Sequence, residues 1–414
     1  MTHKNKEIQT FRELGIDNEI LSILDRNQFV TPTPIQHQVI PVALLGKDVV
    51  GIAQTGTGKT LAFGIPMLQR LMSLGGQGLI LLPTRELALQ VDEVLQKIGR
   101  PLNLKTAVLI GGASMQQQIR SLRHGAHIVV ATPGRLLDQI EQKNFSLQNI
   151  KIAVLDEADR MFDFGFAPSI KRIMAMIPHN RQTLMFSATM AKEVSEMAAR
   201  FMQTPYRIEV APAGTTATKV EQEVFITNRD LKMQLLDKLL TDNKGVILVF
   251  ARTRRGVKKV AVNVRAMGHT VAELHSDRSL SQRREALEGF KSGRFRILVA
   301  TDIAARGIDV SDIELVINYD LPTSTEDYVH RIGRTGRAGS LGKAVSFAAP
   351  EERKEIRQIE KLIRKTLPIS ALPVLPPRRE LPKHIPKEFN FTHRPKRHQA
   401  PDRPWRRRRN FRNS

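Results

Sequence analysis

Short apolar runs alternate with amphipathic stretches along most of this chain, and this alternation limits the folds open to it more than any other feature. Apolar residues at helical spacing predict helices, as over residues 85–98. Shorter apolar runs bounded by turn residues predict strands, which in the first half lie at residues 49–50, 79–82, 107–110, 128–131, 152–155 and 184–186. Buried strands that alternate with helices form a parallel sheet with helices on both faces, so the first half is predicted to be an α/β domain.

The second half of the chain repeats the same pattern. Its predicted strands lie at residues 224–226, 246–250, 271–274, 297–300, 315–318 and 344–347. A chain of 414 residues is too long for one ordinary core, and we expect two domains, at residues 1–205 and 220–368. Residues 206–219 contain a run of small residues without periodicity and are predicted to be a flexible linker. Two α/β domains joined in this way enclose a cleft that can open and close.

The last segment, residues 369–414, differs in composition. Residues 371–414 contain 13 Lys and Arg against 3 Asp and Glu, with eight prolines and no amphipathic period. Such a segment buries too little apolar surface to offset the entropy of ordering, so we expect a disordered basic tail. The whole chain has a formal net charge of +23, which favours polyanionic partners, of which nucleic acid is the commonest. We interpret the tail as an arm that binds such a polyanion.

Composition excludes several other classes of protein. The chain has no cysteine, which rules out disulfides, thiolate metal sites and cysteine nucleophiles and is typical of a reducing cytosol. Its N-terminus lacks the apolar core of a signal peptide. No apolar run approaches the roughly 20 residues that a membrane span needs. We therefore expect a cytoplasmic protein without a membrane partner.

Two motifs in the first half carry chemistry, and the first is a glycine-rich turn between a predicted strand and a predicted helix. Glycines let backbone N–H groups point at phosphate oxygens, and the positive end of the following helix faces the same place. Lys59 would reach the β- and γ-phosphates of a nucleotide, and the Thr60 hydroxyl would hold Mg2+. The strict pattern has glycine at the position of Ala53, and the alternative interpretation is a turn with an incidental lysine. The residues predicted to bind ATP here are Ala53, Gln54, Thr55, Gly56, Thr57, Gly58, Lys59 and Thr60.

The second motif is an apolar strand that ends on carboxylates. Asp156 and Glu157 directly follow the strand at residues 152–155, so they lie at its carboxyl end, where open α/β sheets bind ligands. Asp156 suits Mg2+, directly or through water, and Glu157 suits the water that attacks the γ-phosphate. Alone, the motif would equally suit a solvent-exposed acidic turn, and the lysine-bearing loop favours the catalytic interpretation.

The segment from Asp156 to Asp159 spells DEAD, and from about Phe11 to Gly342 the chain closely resembles the DEAD-box ATP-dependent RNA helicases. This resemblance implies two tandem RecA-like parallel-sheet domains, with ATP and Mg2+ as cofactors. It also implies RNA as the partner, single-stranded or in short duplexes and without regard to base sequence. The basic tail and residues 275–280 look most like the bacterial RhlE-type branch of the family.

The resemblance further implies roles for individual residues. In an adenine-sensing segment at residues 9–37, Gln36 would bind the base because its amide both donates and accepts, and Phe11 would stack on it. The implied catalytic residues are Lys59, Asp156, Glu157 and two arginine fingers, Arg334 and Arg337, with Gly307 and Asp309 also contacting the nucleotide. RNA-backbone contact is implied for Pro83, Thr84, Arg85, Gly112, Thr132, Pro133, Gly134, Arg135, Arg252, Arg283 and Thr301. Coupling of ATP to RNA is implied for Asp159, Ser187, Thr189 and His330. Taken singly, Arg85 or Arg135 would more often form a surface salt bridge.

One position departs from the family pattern. The family's Gln-x-x-Arg motif falls on Leu280 and Arg283, and the nearby Gln282 is out of register. The contact made by the family's Gln is therefore not implied for Leu280, whereas Arg283 keeps an RNA or interdomain role.

Because the phosphate loop and the arginine fingers lie on different domains, we expect ATP hydrolysis to require closure of the cleft. RNA bound across both domains would favour the same closed state. The expected activity is RNA-stimulated ATP hydrolysis coupled to local, non-processive unwinding of short duplexes or remodelling of RNA–protein complexes, with ribosomal precursors or RNA decay proteins among the partners. Three alternatives stay open: an assembly factor that clamps RNA with ATP, a DNA translocase of similar architecture, and a small-molecule NTPase.

Overall fold

The protein is represented by a computed structural model that describes residues 10–54, 56–210, 220–305, 310, 313–336 and 342–379. The predictions for Thr55, Gly307, Asp309 and Arg337 lie outside these residues, as do those for linker residues 211–219 and for the tail from residue 380. In the part of the chain that the structure describes, no helix is long and apolar enough to cross a membrane.

Each half of the chain folds around one seven-stranded sheet. In the first lobe (residues 10–210) the strands are β1 (Val49–Ile52), β2 (Gln77–Leu81), β3 (Thr106–Leu109), β4 (Ile128–Ala131), β5 (Ile150–Leu155), β6 (Gln182–Ser187) and β7 (Tyr206–Glu209). Its helices are α1 (Asn18–Arg26), α2 (Pro34–Leu44), α3 (Lys59–Leu74), α4 (Arg85–Gly99), α5 (Met115–Arg123), α6 (Pro133–Glu141), α7 (Ala158–Asp163), α8 (Ala167–Met176) and α9 (Lys192–Phe201).

The second lobe (residues 220–379) follows the same plan. Its strands are β8 (Val220–Ile226), β9 (Ile247–Phe250), β10 (Val271–Leu274), β11 (Ile297–Ala300), β12 (Leu315–Asn318), β13 (Gly342–Ala348) and β14 (Ile369–Ser370). Its helices are α10 (Lys232–Asp242), α11 (Arg254–Ala266), α12 (Leu280–Lys291), α13 (Asp302–Ala305), α14 (Thr325–Ile332) and α15 (Arg353–Ile363).

The strand order is the same in the two sheets. It runs β3-β4-β2-β5-β6-β1-β7 in the first and β10-β11-β9-β12-β13-β8-β14 in the second, and the paired strands are parallel. Ile52 of β1 pairs with Ser187 of β6, and Leu155 of β5 pairs with Met185. The segments that follow β1, β5 and β6 therefore leave the sheet side by side, at the carboxyl ends of the strands. This end of the sheet carries the predicted phosphate loop and both acidic residues.

Each sheet is buried on both faces, as a parallel sheet with helices on either side must be. Along β5, Ile152 and Val154 pack into one apolar cluster, whereas Ala153 and Leu155 pack into the cluster on the opposite face. This is the side-chain alternation of an extended strand. The predicted α/β architecture of two tandem RecA-like domains is confirmed.

All twelve predicted strands form, but two further strands were not predicted. Residues 206–209, assigned to the linker, form β7, which pairs with β1. Residues 369–370, assigned to the tail, form β14, which pairs with β8. Both are edge strands with exposed apolar side chains, Tyr206 and Ile369, so neither shows the buried apolar run on which the prediction depended. The linker therefore starts at least four residues later than predicted, and the tail starts later too.

Candidate nucleotide and RNA site

The phosphate loop after β1 depends on two glycines in left-handed backbone conformations. The φ angles of Gly56 and Gly58 are +86° and +89°, which favour glycine because any other residue would be strained there. A β-carbon on Gly58 would also lie 2.3 Å from Nε2 of Gln36. The loop is thus packed directly against the predicted adenine-sensing residue, and Lys59 follows as the first residue of α3.

Gln36 joins two segments that are separate in sequence. It is buried, and its Oε1 accepts a hydrogen bond from the Thr33 backbone N–H at 2.8 Å at the start of α2. Its Nε2 donates to the Gly58 carbonyl at 2.9 Å. Oε1 can accept one more hydrogen bond and Nε2 can donate one more, so the Gln36 amide could still bind adenine. The sequence did not indicate that Gln36 also holds the phosphate loop.

Lys59 meets both acidic residues at the edge of the sheet. Its Nζ lies 2.9 Å from Oε1 of Glu157 and 3.4 Å from Oδ1 of Asp156, and all three side chains are at most 5% exposed. Burial alone would lower the pKa of Lys59, but the two carboxylates outweigh it and raise that pKa. Burial, reinforced by Glu157 and opposed by Lys59, raises the pKa of Asp156 to about 6. The cluster has two carboxylates and one lysine, so it favours a bound cation, such as a metal ion that also contacts phosphate.

Glu157 has a φ of +56°, in the left-handed region that non-glycine residues seldom adopt. It lies between the end of β5 and the first residue of α7, where its backbone makes the turn from strand to helix. Such strain persists only where the surrounding structure enforces it, and it is commonest at functional sites. Here the turn brings the Glu157 carboxylate back to Lys59.

The donor set fits Mg2+ of the kind that nucleotides bring with them. Mg2+ is usually held by one or two carboxylates together with phosphate oxygens and water, and rarely by an all-protein cage. Among the described residues no group of three or more His, Cys, Asp or Glu could hold a metal alone. Asp156 is a buried carboxylate whose pKa is raised chiefly by burial, and its oxygens suit a metal that is shared with a nucleotide.

Asp159 contacts the segment after β6, where the sequence predicted a coupling role. Its Oδ2 accepts hydrogen bonds from the backbone N–H groups of Ala188 and Thr189, at 3.1 and 3.0 Å, and from the Thr189 hydroxyl at 3.2 Å. The Ser187 hydroxyl accepts one from the Asp159 backbone N–H at 3.3 Å. The strand end that bears the acidic residues is thereby joined to its neighbour, so a shift of one moves the other.

The predicted RNA-contacting residues of the first lobe lie close to one another. Gly112 has a φ of +76°, and a β-carbon there would lie 2.3 Å from Nη1 of Arg85, so this guanidinium lies against the glycine turn. Arg135 donates from Nη1 to the Ala113 carbonyl at 3.3 Å. The remaining predicted residues flank these: Pro83 lies between β2 and α4, Thr84 caps α4, Thr132 precedes α6, and Pro133 and Gly134 begin α6.

The second-lobe predictions are less complete, because Gly307, Asp309 and Arg337 fall outside the described residues. Arg334 is buried and donates from Nε to the His330 carbonyl at 3.1 Å. Arg252 is half-exposed and lies 3.1 Å from Oε1 of Glu352. Thr301 is nearly buried at the end of β11. Phe11, predicted to stack on adenine, is 4% exposed and packs in the first-lobe core cluster.

Arg331 is a buried residue that the sequence interpretation did not single out. Its guanidinium binds both carboxylate oxygens of Asp302, at 2.5 and 2.7 Å, and also Oδ1 of Asn318 and the Asp320 carbonyl. It therefore fixes α14, which carries His330, against the ends of β11 and β12. Its place between His330 and Arg334, both predicted to be functional, gave no signal that its role is structural.

Two buried ion pairs join the lobes. Arg160 Nη1 lies 3.0 Å from Oδ1 of Asp327, and Arg283 Nη2 lies 2.6 Å from Oε2 of Glu86. The partners are 167 and 197 residues apart in the sequence, so no local pattern could have revealed them. Arg283, for which an RNA or interdomain role was predicted, thus makes a contact between the lobes.

A buried lysine and two carboxylates beside a glycine-rich loop, in one of two RecA-like domains, are typical of a two-domain nucleotide-binding protein. The DEAD/DEAH box helicase family model matches residues 33–197, and the helicase conserved C-terminal domain model matches residues 231–339. The chain belongs to the DEAD-box helicase family.

Relatives and solved structures agree with this assignment. The chain is 41% identical over 369 residues to the DEAD-box ATP-dependent RNA helicase CshA of Bacillus cereus, a match that covers 88% of this chain and 70% of the relative. It is also 41% identical to the ATP-dependent rRNA helicase RRP3 of Candida albicans, covering 87% and 68%. Among solved structures, S. cerevisiae Dbp5 bound to RNA and ADP BeF3 is 31% identical, with a TM-score of 0.79 and coverage of 87% and 95%. Mss116p bound to ssRNA and AMP-PNP is 27% identical, with a TM-score of 0.80 and coverage of 89% and 81%.

Proposed function

We infer that this chain is an ATP-dependent RNA helicase, as its family indicates, and we propose that it couples RNA-stimulated ATP hydrolysis to local, non-processive unwinding of short duplexes. Remodelling of RNA–protein complexes would use the same cycle. The observation that carries this proposal is the buried cluster of Lys59, Asp156 and Glu157, which lies at the edge of the sheet beside the phosphate loop.

Each residue of the cluster has a distinct task in the proposed reaction. Lys59 exchanges its carboxylate partners for the β- and γ-phosphates when ATP binds, which frees Glu157 to orient the attacking water. Asp156 and Thr60 would hold Mg2+, which supplies neutralising charge at the phosphate oxygens. Arg334 and Arg337 would stabilise the charge that develops on the transferred phosphoryl group. The loop at residues 53–60 would cradle the phosphates, with Gly56 and Gly58 shaping its backbone, while Gln36, with Phe11, Gly307 and Asp309, would bind the rest of the nucleotide.

RNA would lie across both lobes, on the residues grouped around Arg85, Gly112 and Arg135 in the first and on Arg252 and Thr301 in the second. These guanidiniums, hydroxyls and backbone N–H groups suit phosphate and ribose oxygens, so selection would depend on the sugar and on backbone shape. Asp159, with its bonds to Thr189 and Ser187, would pass the state of the nucleotide to the RNA side.

The finer assignments are proposals as well. We propose two domains, the first ending after β7 rather than at residue 205, and the second starting at residue 220 and ending after β14 rather than at residue 368. We also propose a cytoplasmic location and kinship with the RhlE-type branch, which the basic tail supports. Ribosomal precursor RNA is the favoured target because one relative is named an rRNA helicase. Proteins of RNA decay stay an alternative partner class.

The decisive experiment measures ATP hydrolysis with no nucleic acid, with oligoribouridine and with oligodeoxythymidine of equal length. We expect stimulation by RNA alone, and the loss of turnover in Glu157→Gln with RNA binding retained. Equal stimulation by DNA would favour a translocase, and turnover indifferent to both would favour a small-molecule NTPase. Unwinding of a short RNA duplex, compared with annealing of its strands, separates a helicase from an RNA clamp.

A further inference from the structure

The start of α12 explains why Gln282 cannot replace the family's Gln. Ser279 caps this helix, and its hydroxyl accepts a hydrogen bond from the Gln282 backbone N–H at 3.3 Å. The Gln282 side chain turns back, and its Oε1 accepts one from the Ser279 backbone N–H at 3.0 Å. This reciprocal capping box engages the Gln282 amide at the helix terminus. Leu280 therefore stands at the Gln position with no amide beside it to take over that function.

Leu280 makes a contact that crosses between the lobes. It belongs to α12 of the second lobe, yet it is partly buried against the apolar core cluster of the first lobe. Arg283 lies three residues further along, on the same face of the helix, and pairs with Glu86 of α4 in the first lobe. One face of α12 thus offers the first lobe an apolar contact and an ion pair side by side.

The two contacts differ in how much they favour closure. Burial disfavours the charged form of Arg283 and lowers its pKa, an effect that Glu86 opposes. Among the described residues, Nε of Arg283 and Oε1 of Glu86 also have no hydrogen-bond partner. A buried ion pair with unsatisfied atoms gains little over its solvated parts. Apolar contact carries no such desolvation cost, so Leu280 supplies the larger net attraction.

We propose that Leu280 is a positioning residue that favours contact between the lobes without any RNA, so that part of the ATP hydrolysis is independent of RNA. This inference rests on the proposed function, because it concerns the same closure step. A glutamine at this position would be hydrated when the lobes separate, so its contact with the first lobe would contribute less favourable free energy to closure than that of Leu280. Bound RNA would then have to supply the rest of the attraction between the lobes.

The test compares Leu280→Gln with the wild type in ATP hydrolysis with and without saturating oligoribouridine. We expect the RNA-free kcat to fall about fivefold and the kcat at saturating RNA to change less than about twofold, because RNA then compensates for the lost contact. Leu280→Met, which keeps the apolar contact, should retain the RNA-free rate. The matched control is Leu372→Gln, which makes the same chemical change at a leucine of the second lobe that is 39% exposed.

A second measurement reads the lobe contact directly. Because the chain has no cysteine, Lys171→Cys on α8 and Lys354→Cys on α15 can be labelled specifically for single-molecule energy transfer. With AMP-PNP and no RNA, Leu280→Gln should lower the fraction of molecules with the lobes in contact. An unchanged RNA-free rate with an unchanged contact fraction would overturn the inference, and so would an equal fall of kcat with and without RNA. A wild type that RNA does not stimulate would instead contradict the proposed function.

Discussion

The two lobes share one fold, but among the residues that the structure describes only the first lobe has a glycine-rich loop before its buried lysine. The helix that follows the equivalent strand, α3 after β1 and α10 after β8, begins in both lobes with a buried lysine, Lys59 or Lys232. In both lobes this lysine reaches an acidic residue beyond the end of the fourth strand in the sheet order. Lys59 pairs with Asp156, and Lys232 Nζ lies 3.3 Å from Oδ1 of Asp320.

What differs is the loop before the lysine and the surroundings of the acid. The first lobe has Gly56 and Gly58 with positive φ, whereas residues 227–231 of the second lobe are Thr-Asn-Arg-Asp-Leu, without a glycine. Lys232 also donates to the Tyr319 carbonyl at 2.9 Å, and Asp320 also accepts from the Arg252 backbone N–H at 3.1 Å. Both members of the second ion pair therefore make further hydrogen bonds within their own lobe. We therefore propose a nucleotide site only where the equivalent lysine and acid accompany a glycine-rich turn.

The largest difference between the lobes should appear when each lysine is replaced by alanine. Lys59→Ala removes the cation that would bind the phosphates, and we expect kcat for ATP hydrolysis to fall at least about 10²-fold, the usual cost of losing a group that stabilises transition-state charge. Steady-state hydrolysis at saturating RNA measures this. Retention of the wild-type rate in Lys59→Ala would mean that the cluster is not the catalytic site.

A smaller effect should follow from filling the phosphate loop. Gly58→Ala places a methyl group against Gln36 Nε2 and strains a residue with positive φ, so we expect KM for ATP to rise about tenfold or more. The matched control is Gly125→Ala, where φ is +77° but nothing lies within 4 Å of the added carbon. It should lower the free energy of unfolding by about 1 kcal/mol and leave KM unchanged. If both variants raised KM alike, the clash with Gln36 would not be the cause.

Lys232→Ala is the counterpart of Lys59→Ala and should affect stability alone. It removes the hydrogen bond to the Tyr319 carbonyl and leaves Asp320, which is partly exposed, without its lysine. We expect the free energy of unfolding to fall by about 1–3 kcal/mol. Urea unfolding measures the loss, and KM for ATP should stay within about twofold. A selective loss of ATP affinity with unchanged stability would show that the second lobe also binds nucleotide.

Sequence patterns identify what is local in this molecule. The twelve predicted strands are buried, so their apolar runs mark them, whereas β7 and β14 lie at sheet edges and expose Tyr206 and Ile369. The phosphate loop and the carboxylates after β5 are likewise contiguous motifs. The glycines and the lysine of the first motif lie in one backbone turn, and the acids of the second lie in another. Because each motif is contiguous in the sequence, the positions of these residues were predictable.

What sequence patterns could not reveal depends on residues brought together by the fold. Gln36 reaches Gly58 only because α2 packs beside α3, and Lys232 reaches Asp320 across 88 residues. The ion pairs between the lobes involve single charged residues that carry no motif. Such pairs resemble ordinary surface charges in the sequence, and only their burial distinguishes them.

The smallest effect on hydrolysis is expected from removing the basic tail, which follows the second lobe in the sequence. The cut should follow Arg379, because Arg379 Nε lies 2.7 Å from Oδ2 of Asp237 and the Pro376 carbonyl accepts from Gln234 Nε2 at 2.8 Å. A cut before residue 369 would also remove β14, so a change in RNA binding could then result from a loss of stability. RNA-free ATP hydrolysis should stay within about twofold. The slope of log affinity for oligoribouridine against log salt should become flatter, by about 0.7 for each phosphate contact that the tail makes. An unchanged slope would mean that the charge of the tail does not contact RNA, and that residues up to Arg379 account for RNA binding.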